Sequence, residues 1–174
     1  GWSNLAAIQG VAGDFDAAID SATRAMKFVQ HRQIADQLVS GYTGAGRFDE
    51  AHAANQRYLD DARSRQFNEL RIFAVQGRAD EARALFDELV ATYGDDAVSS
   101  DSAAIIGDRE FANASAARLD KQPLGFLTIL DMAGSCKCGA PFDLEVTPRF
   151  ARLVEEAELV WPPRSAIEWP LKTW

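Results

Sequence analysis

Cys136 and Cys138, with Lys137 between them, are the pair whose residue types most suggest chemistry. Thiolates can ligate a soft metal or cycle through a disulfide. A structural zinc site needs four ligands, and the two histidines of the chain, His31 and His52, lie far upstream. A redox pair usually has two intervening residues near a strand and a helix. The reading is two thiols in a loop, with no metal and no cofactor. Two cysteines this close build no disulfide framework, so a reducing, cytoplasmic setting is expected.

Gly41-Tyr42-Thr43-Gly44-Ala45-Gly46 has the glycine content of a phosphate loop. It lacks the preceding strand and the Lys-Ser/Thr ending that such loops need. It reads instead as a helix end and a tight turn. The histidines and serines form no recognisable Ser-His-Asp or Cys-His motif. The acidic pairs Asp60-Asp61 and Asp95-Asp96 suit helix ends or a solvated surface. The chain is therefore expected not to be an enzyme.

Composition narrows the classes further. The 174 residues suit one domain or one array of small repeats. With 47% apolar and 25% charged residues, the composition is that of a soluble globular chain. It is long enough to bury a core without a disulfide or a metal. No apolar run approaches the ~18 residues of a membrane span. The net charge of −8 argues against nucleic acid and against an anionic membrane surface as partners. The first methionine is Met26, so the chain is expected to come from a longer gene product, to follow a removed leader or to be trimmed.

The elements that must position any site are helices. All six prolines lie at or beyond Pro123, and a proline-free stretch rich in Ala, Leu, Glu, Asp, Arg and Gln permits helices. Within it a short pattern returns. Gly13-Asp14-Phe15-Asp16-Ala17-Ala18, Gly46-Arg47-Phe48-Asp49-Glu50-Ala51 and Gly77-Arg78-Ala79-Asp80-Glu81-Ala82 align, with a weaker Gly107-Asp108-Arg109-Glu110-Phe111-Ala112. The interval, roughly 30–34 residues, holds two helices and their turns. Each glycine is expected to end a helix in the left-handed conformation. The acids after it suit the positive end of the next helix. The alanine one turn in (Ala18, Ala51, Ala82, Ala112) lets two helices approach closely. The first helix of the fourth pair is expected to be short.

On these residues the chain resembles the tetratricopeptide repeat family over about residues 2–122. The first unit matches at Trp2, Leu5, Ala6, Gly13, Ala18 and Ala25. The second matches at Leu38, Tyr42, Gly46, Ala51 and Tyr58, and the third at Leu70, Phe73, Gly77, Ala82, Phe86 and Leu89. The family's proline near the end of the second helix is missing from the first three units, and Gln9 stands where an aromatic is expected. The resemblance implies an all-α fold, a TPR-like α-solenoid of antiparallel helical hairpins. The hairpins are expected at about 1–28, 29–61, 62–92 and 93–122.

In such arrays the first helix of each pair lines the concave groove. That places Gln33, Asp36, Gln37, Ser40 and Thr43 of the second unit in the groove, with Phe67, Asn68 and Arg71 of the third. Arg71 could grip a carboxylate with two hydrogen bonds, and Phe67 could anchor a partner. The expected function is a non-catalytic interaction scaffold that takes a protein or peptide partner, such as a partner helix, in that groove. The alternative is the C-terminal sensory or oligomerisation region of a larger regulatory protein. Self-association into a homo-oligomer through the apolar C-terminal end is a further expectation.

Residues 123–174 read as a helical cap and a packed tail, as a stack of repeats needs at its end. Leu124 to Ala133 is a short helix candidate. Thr147-Pro148 is an N-cap followed by proline at the first helical position. Phe150, Leu153, Ala157 and Leu159 would give the last helix its apolar face. Trp161, Trp169 and Trp174 are expected to fold back on it.

Overall fold

The computed structural model describes residues 1–95, 98, 100–129 and 140–162. Cys136, Cys138, Trp169 and Trp174 lie outside the described residues. Those described are helical, with no strand among them. The helices are α1 (Trp2–Val11), α2 (Phe15–Met26), α3 (Arg32–Gly44), α4 (Phe48–Tyr58), α5 (Ala62–Val75), α6 (Ala79–Tyr93), α7 (Ser100–Ile105), α8 (Arg109–Asp120) and α9 (Pro148–Glu156). Residues 125–129 add a short helical segment. Gly1–Leu85 form one compact unit, and the described residues from Phe86 onward belong to a second.

Helices pack on their chain neighbours. In the first unit α1 packs on α2, α2 on α3, α3 on α4 and α4 on α5. The helices two apart also touch: α1 lies beside α3, and α3 beside α5. In the second unit α7 packs on α8, and α8 meets α9. The helix α7 has six residues, as short as its broken apolar pattern predicts.

One turn is built repeatedly. Gly13, Gly46, Gly77 and Gly107 all have φ between 71° and 81°. At Gly46 the glycine N–H donates to the Thr43 carbonyl at 3.1 Å, and the next N–H, of Arg47, donates to the Tyr42 carbonyl at 2.9 Å. The same two bonds form at each of the other three glycines. They satisfy carbonyls that the helix end leaves without partners. No heavy atom outside its chain neighbours stands within 4 Å of where a Cβ on Gly46 would sit. The backbone conformation, rather than crowding, therefore requires glycine there. Ala18, Ala51, Ala82 and Ala112 are all buried, as the close approach of the helices demands.

The residues after the glycines start the next helix in two ways. Asp14 and Asp108 cap it, their carboxylates accepting from the N–H of Ala17 and of Phe111. Arg47 and Arg78 instead clasp Glu50 and Glu81 one turn on. Each arginine also stacks over the aromatic that ends the helix before it. Arg47 lies 4.9 Å from the Tyr42 ring centre, and Arg78 4.2 Å from that of Phe73. Gln9 holds the corresponding place in the first unit, and its Oε1 accepts from the Ser21 hydroxyl at 2.7 Å.

In the second unit the apolar centre is Phe142, with Phe150 and Trp161 against it. The start of α9 departs from expectation. Thr147 occupies the N-cap position, but its side chain makes no capping bond. Its hydroxyl donates to the Leu144 carbonyl at 3.0 Å instead. The cap comes from Asp120, the last residue of α8. Its two carboxylate oxygens accept from the N–H of Arg149 at 3.0 Å and of Phe150 at 2.9 Å. The end of α9 also differs. The helix stops at Glu156, so Leu159 lies beyond it, and Phe150 and Val154 supply its buried face.

That stop uses the same turn with a glutamate in the glycine's place. Glu158 has φ 51°. Its N–H donates to the Glu155 carbonyl, and the Leu159 N–H donates to that of Val154. A side chain in the left-handed region costs roughly 1 kcal/mol. Glu158→Gly is therefore expected to stabilise the second unit by about 0.5–1 kcal/mol. Thermal unfolding of the variant beside wild type checks this, and an unchanged or lower midpoint would contradict it.

Candidate functional site

The expected groove residues sit on α3 and α5, whose backbones run side by side in the first unit. Hydrogen bonds tie this layer together. Asn68 Nδ2 on α5 donates to Asp36 Oδ1 on α3 at 2.9 Å. Ser3 on α1 donates from its hydroxyl to Gln37 Oε1 on α3 at 3.2 Å. Arg32 at the start of α3 donates to the Ser64 hydroxyl on α5 at 3.3 Å. Three successive first helices are thus linked by side chains about one helix pair apart in sequence.

The eight residues divide by exposure. Thr43 and Asn68 are buried. The Thr43 hydroxyl donates back to the Val39 carbonyl at 2.8 Å, a bond within its own helix. Asn68, with Asp36 as its acceptor, ties α5 to α3. Gln33 is exposed, and Gln37, Ser40, Phe67 and Arg71 are half-buried. The guanidinium of Arg63 lies 5.6 Å from the Phe67 ring centre, so the ring has a cationic neighbour on α5 itself.

Sequence reasoning missed a cleft on the other side of α3. It has a volume of about 440 Å³ and is lined by the end of α2, by α3 and by α4. Leu38 and Tyr42 of α3, Met26 of α2 and Tyr58 of α4 give it apolar walls; Lys27, Glu50 and Arg57 give it charges of both signs. Its volume falls in the range that accepts a small molecule or one large side chain. Met26, Tyr42 and Tyr58 each fit a helical pattern as packing residues. The signal that could have exposed the cleft is the aromatic and methionine content shared by three successive helices. Phe28 and Val29 follow Met26 in the loop after α2 and stand 81% and 56% exposed.

Electrostatics near the turns are those of surface pairs. The Arg47 guanidinium holds the Glu50 carboxyl below the usual carboxylate range by hydrogen bonding, and Arg78 does the same to Glu81. The hydroxyl and backbone N–H of Ser64 hold the Asp61 carboxyl low at the start of α5. These groups are exposed, so the pairs tidy helix starts rather than prepare a catalyst. His52 Nδ1 lies 2.7 Å from Glu69 Oε2 and joins α4 to α5. Among the described residues no three His, Cys, Asp or Glu side chains could share a metal ion. Nor is any described helix long and apolar enough to cross a membrane.

Comparison with family models, with curated proteins and with solved structures finds no match to this chain.

Proposed function

We propose that the chain is a non-catalytic, TPR-like helical scaffold that holds a peptide or a helix of a protein partner on the face formed by α3 and α5. The observation that carries this reading is the ladder of hydrogen bonds across α1, α3 and α5, above all Asn68 to Asp36. Two helices bound together before any partner arrives lose little freedom on binding, which favours a long, shallow contact. Gln33, Gln37 and Ser40 would meet the partner's backbone, Phe67 an apolar side chain, and Arg71 a carboxylate. The recurring glycine turns and buried alanines support the likeness to tetratricopeptide arrays.

The test starts from peptides selected on the folded chain from a random display library. A selected peptide is titrated into the labelled protein while its backbone amides are followed by NMR. Shifts are expected along α3 and α5, and Gln37→Ala with Arg71→Ala is expected to weaken binding at least about tenfold. Shifts confined to Met26, Tyr42 and Arg57 would move the site to the cleft between α2 and α4. A library that yields no binder would remove the support for a peptide scaffold.

A further inference from the structure

The cleft lined by α2, α3 and α4 carries an imbalance of charge that the fold does not use. Three charged side chains line it: Lys27, Glu50 and Arg57. Glu50 is already matched. Arg47 Nε donates to its Oε2 at 2.7 Å, and the same guanidinium donates to its Oε1. Lys27 and Arg57 have no such partner. Among the described residues neither makes an ion pair or a side-chain hydrogen bond. Arg57 meets the ring of Tyr58, 5.1 Å from its guanidinium carbon. Backbone acceptors nearby are taken as well. The Arg24 and Ala25 carbonyls at the end of α2 accept from the N–H groups of Lys27, Phe28 and Val29. The groups that the cleft leaves to a ligand are therefore weighted toward cationic donors.

Its walls are apolar and set in place by the core. Leu38 is buried, and Met26, Tyr42 and Tyr58 pack half-buried against the same hydrophobic cluster. Such walls exist before any ligand arrives. Ala53 and Ala54 of α4 add little bulk. Tyrosine rings and a methionine thioether favour a flat, ring-bearing body over a branched one. Surface charges act over about 8 Å at physiological salt, so the charges at the cleft, rather than the net charge of −8, decide which head group is preferred there.

We propose that this cleft binds a small aromatic carboxylate, with its ring against Met26, Tyr42 and Tyr58 and its carboxylate held by Lys27 and Arg57. Arg57 can offer a carboxylate two parallel N–H groups, and Lys27 a point charge. The proposal does not rest on the face formed by α3 and α5, since none of the residues placed on that face lines the cleft.

The test uses three probes with one body and three head groups: 2-naphthylacetate, its neutral amide 2-naphthylacetamide, and the cation 2-(2-naphthyl)ethylamine. Each is titrated into the labelled full chain while backbone amides are followed by NMR. A probe of this size in an open cleft is expected to bind with a dissociation constant on the order of 1 mM. Shifts from the carboxylate are expected at Lys27, Leu38, Tyr42 and Arg57. The amide is expected to bind at least about fivefold more weakly, and the amine more weakly still. Lys27→Gln/Arg57→Gln is expected to weaken the carboxylate at least about fivefold and to leave the amide unchanged. Both side chains are exposed, and unchanged amide binding shows that the walls remain intact. Equal binding of carboxylate and amide would overturn the proposal, as would tighter binding of the amine. Shifts centred on Gln37, Phe67 and Arg71, or no saturable shifts from the carboxylate, would overturn it too.

Discussion

Phe142→Ala is expected to lower the stability of the second unit by about 3–5 kcal/mol. Phe142 is fully buried, and its ring centre lies 5.2 Å from that of Trp161 and 6.2 Å from that of Phe150. The Phe150 and Trp161 rings also meet each other, edge to face at 5.6 Å. Removing one ring of three costs its transfer from water and leaves a cavity that the other two cannot close without losing their own contact. Phe142→Leu keeps most of the volume and is expected to cost less than half as much. Hydrogen exchange in α8 and α9 reads the effect directly, and urea unfolding gives its size. A loss under about 1 kcal/mol for the alanine variant would mean that the cluster is not the centre of the unit.

Asp120→Ala is expected to cost about 2–3 kcal/mol in the same unit. Its carboxylate is the only side chain described as accepting from the first N–H groups of α9, and the residue is nearly fully buried. Without it two backbone donors lose charge-assisted bonds at a site where water has little access. Asp120→Asn retains one oxygen and turns an amide toward the second donor, so about half the loss is expected. Thr147→Ala should leave this cap standing, since the Thr147 hydroxyl bonds to Leu144. Equal losses for Thr147→Ala and Asp120→Ala, compared by thermal unfolding, would contradict this assignment. Phe150 belongs to both the aromatic cluster and the cap, so the double variant Phe142→Ala/Asp120→Ala should show a non-additive loss.

The parts of this fold legible in the sequence are those set by local backbone demands. A helix end that needs φ near +75° admits few residues besides glycine, so Gly13, Gly46, Gly77 and Gly107 announced their turns. Ala18, Ala51, Ala82 and Ala112 announced close packing because a periodic small residue has little other use. Glu158 did not announce its turn, because a glutamate carries no such mark. The Asp120 cap was hidden for another reason. Its partners lie 29 and 30 positions away, while Thr147 offers the expected residue type one place before Pro148. Local pattern reading takes the near candidate, and tertiary packing chose the far one. The face of α3 and α5 was legible as a set of positions, because 3.6-residue periodicity fixes which side chains share a side. That Asp36 and Asn68 would bond each other was not, since it depends on the lateral spacing of two helices. The cleft lined by α2, α3 and α4 was illegible for the same reason: apolar residues that fill a core and those that line a gap look alike in one dimension.

The neighbour-to-neighbour wiring of the first unit has a kinetic consequence. Its helices touch only partners one or two places away in the chain order, among the pairs with substantial contact, and each helical turn is closed by bonds spanning six residues or fewer. Helices and short loops form in microseconds, and topologies dominated by local contacts fold fastest. A ribosome adds roughly 5–20 residues each second, so a pair of helices needs a few seconds to emerge. The local turns and helices of each pair can therefore form while the next pair is still emerging, and packing then adds along the chain order of α1 to α5.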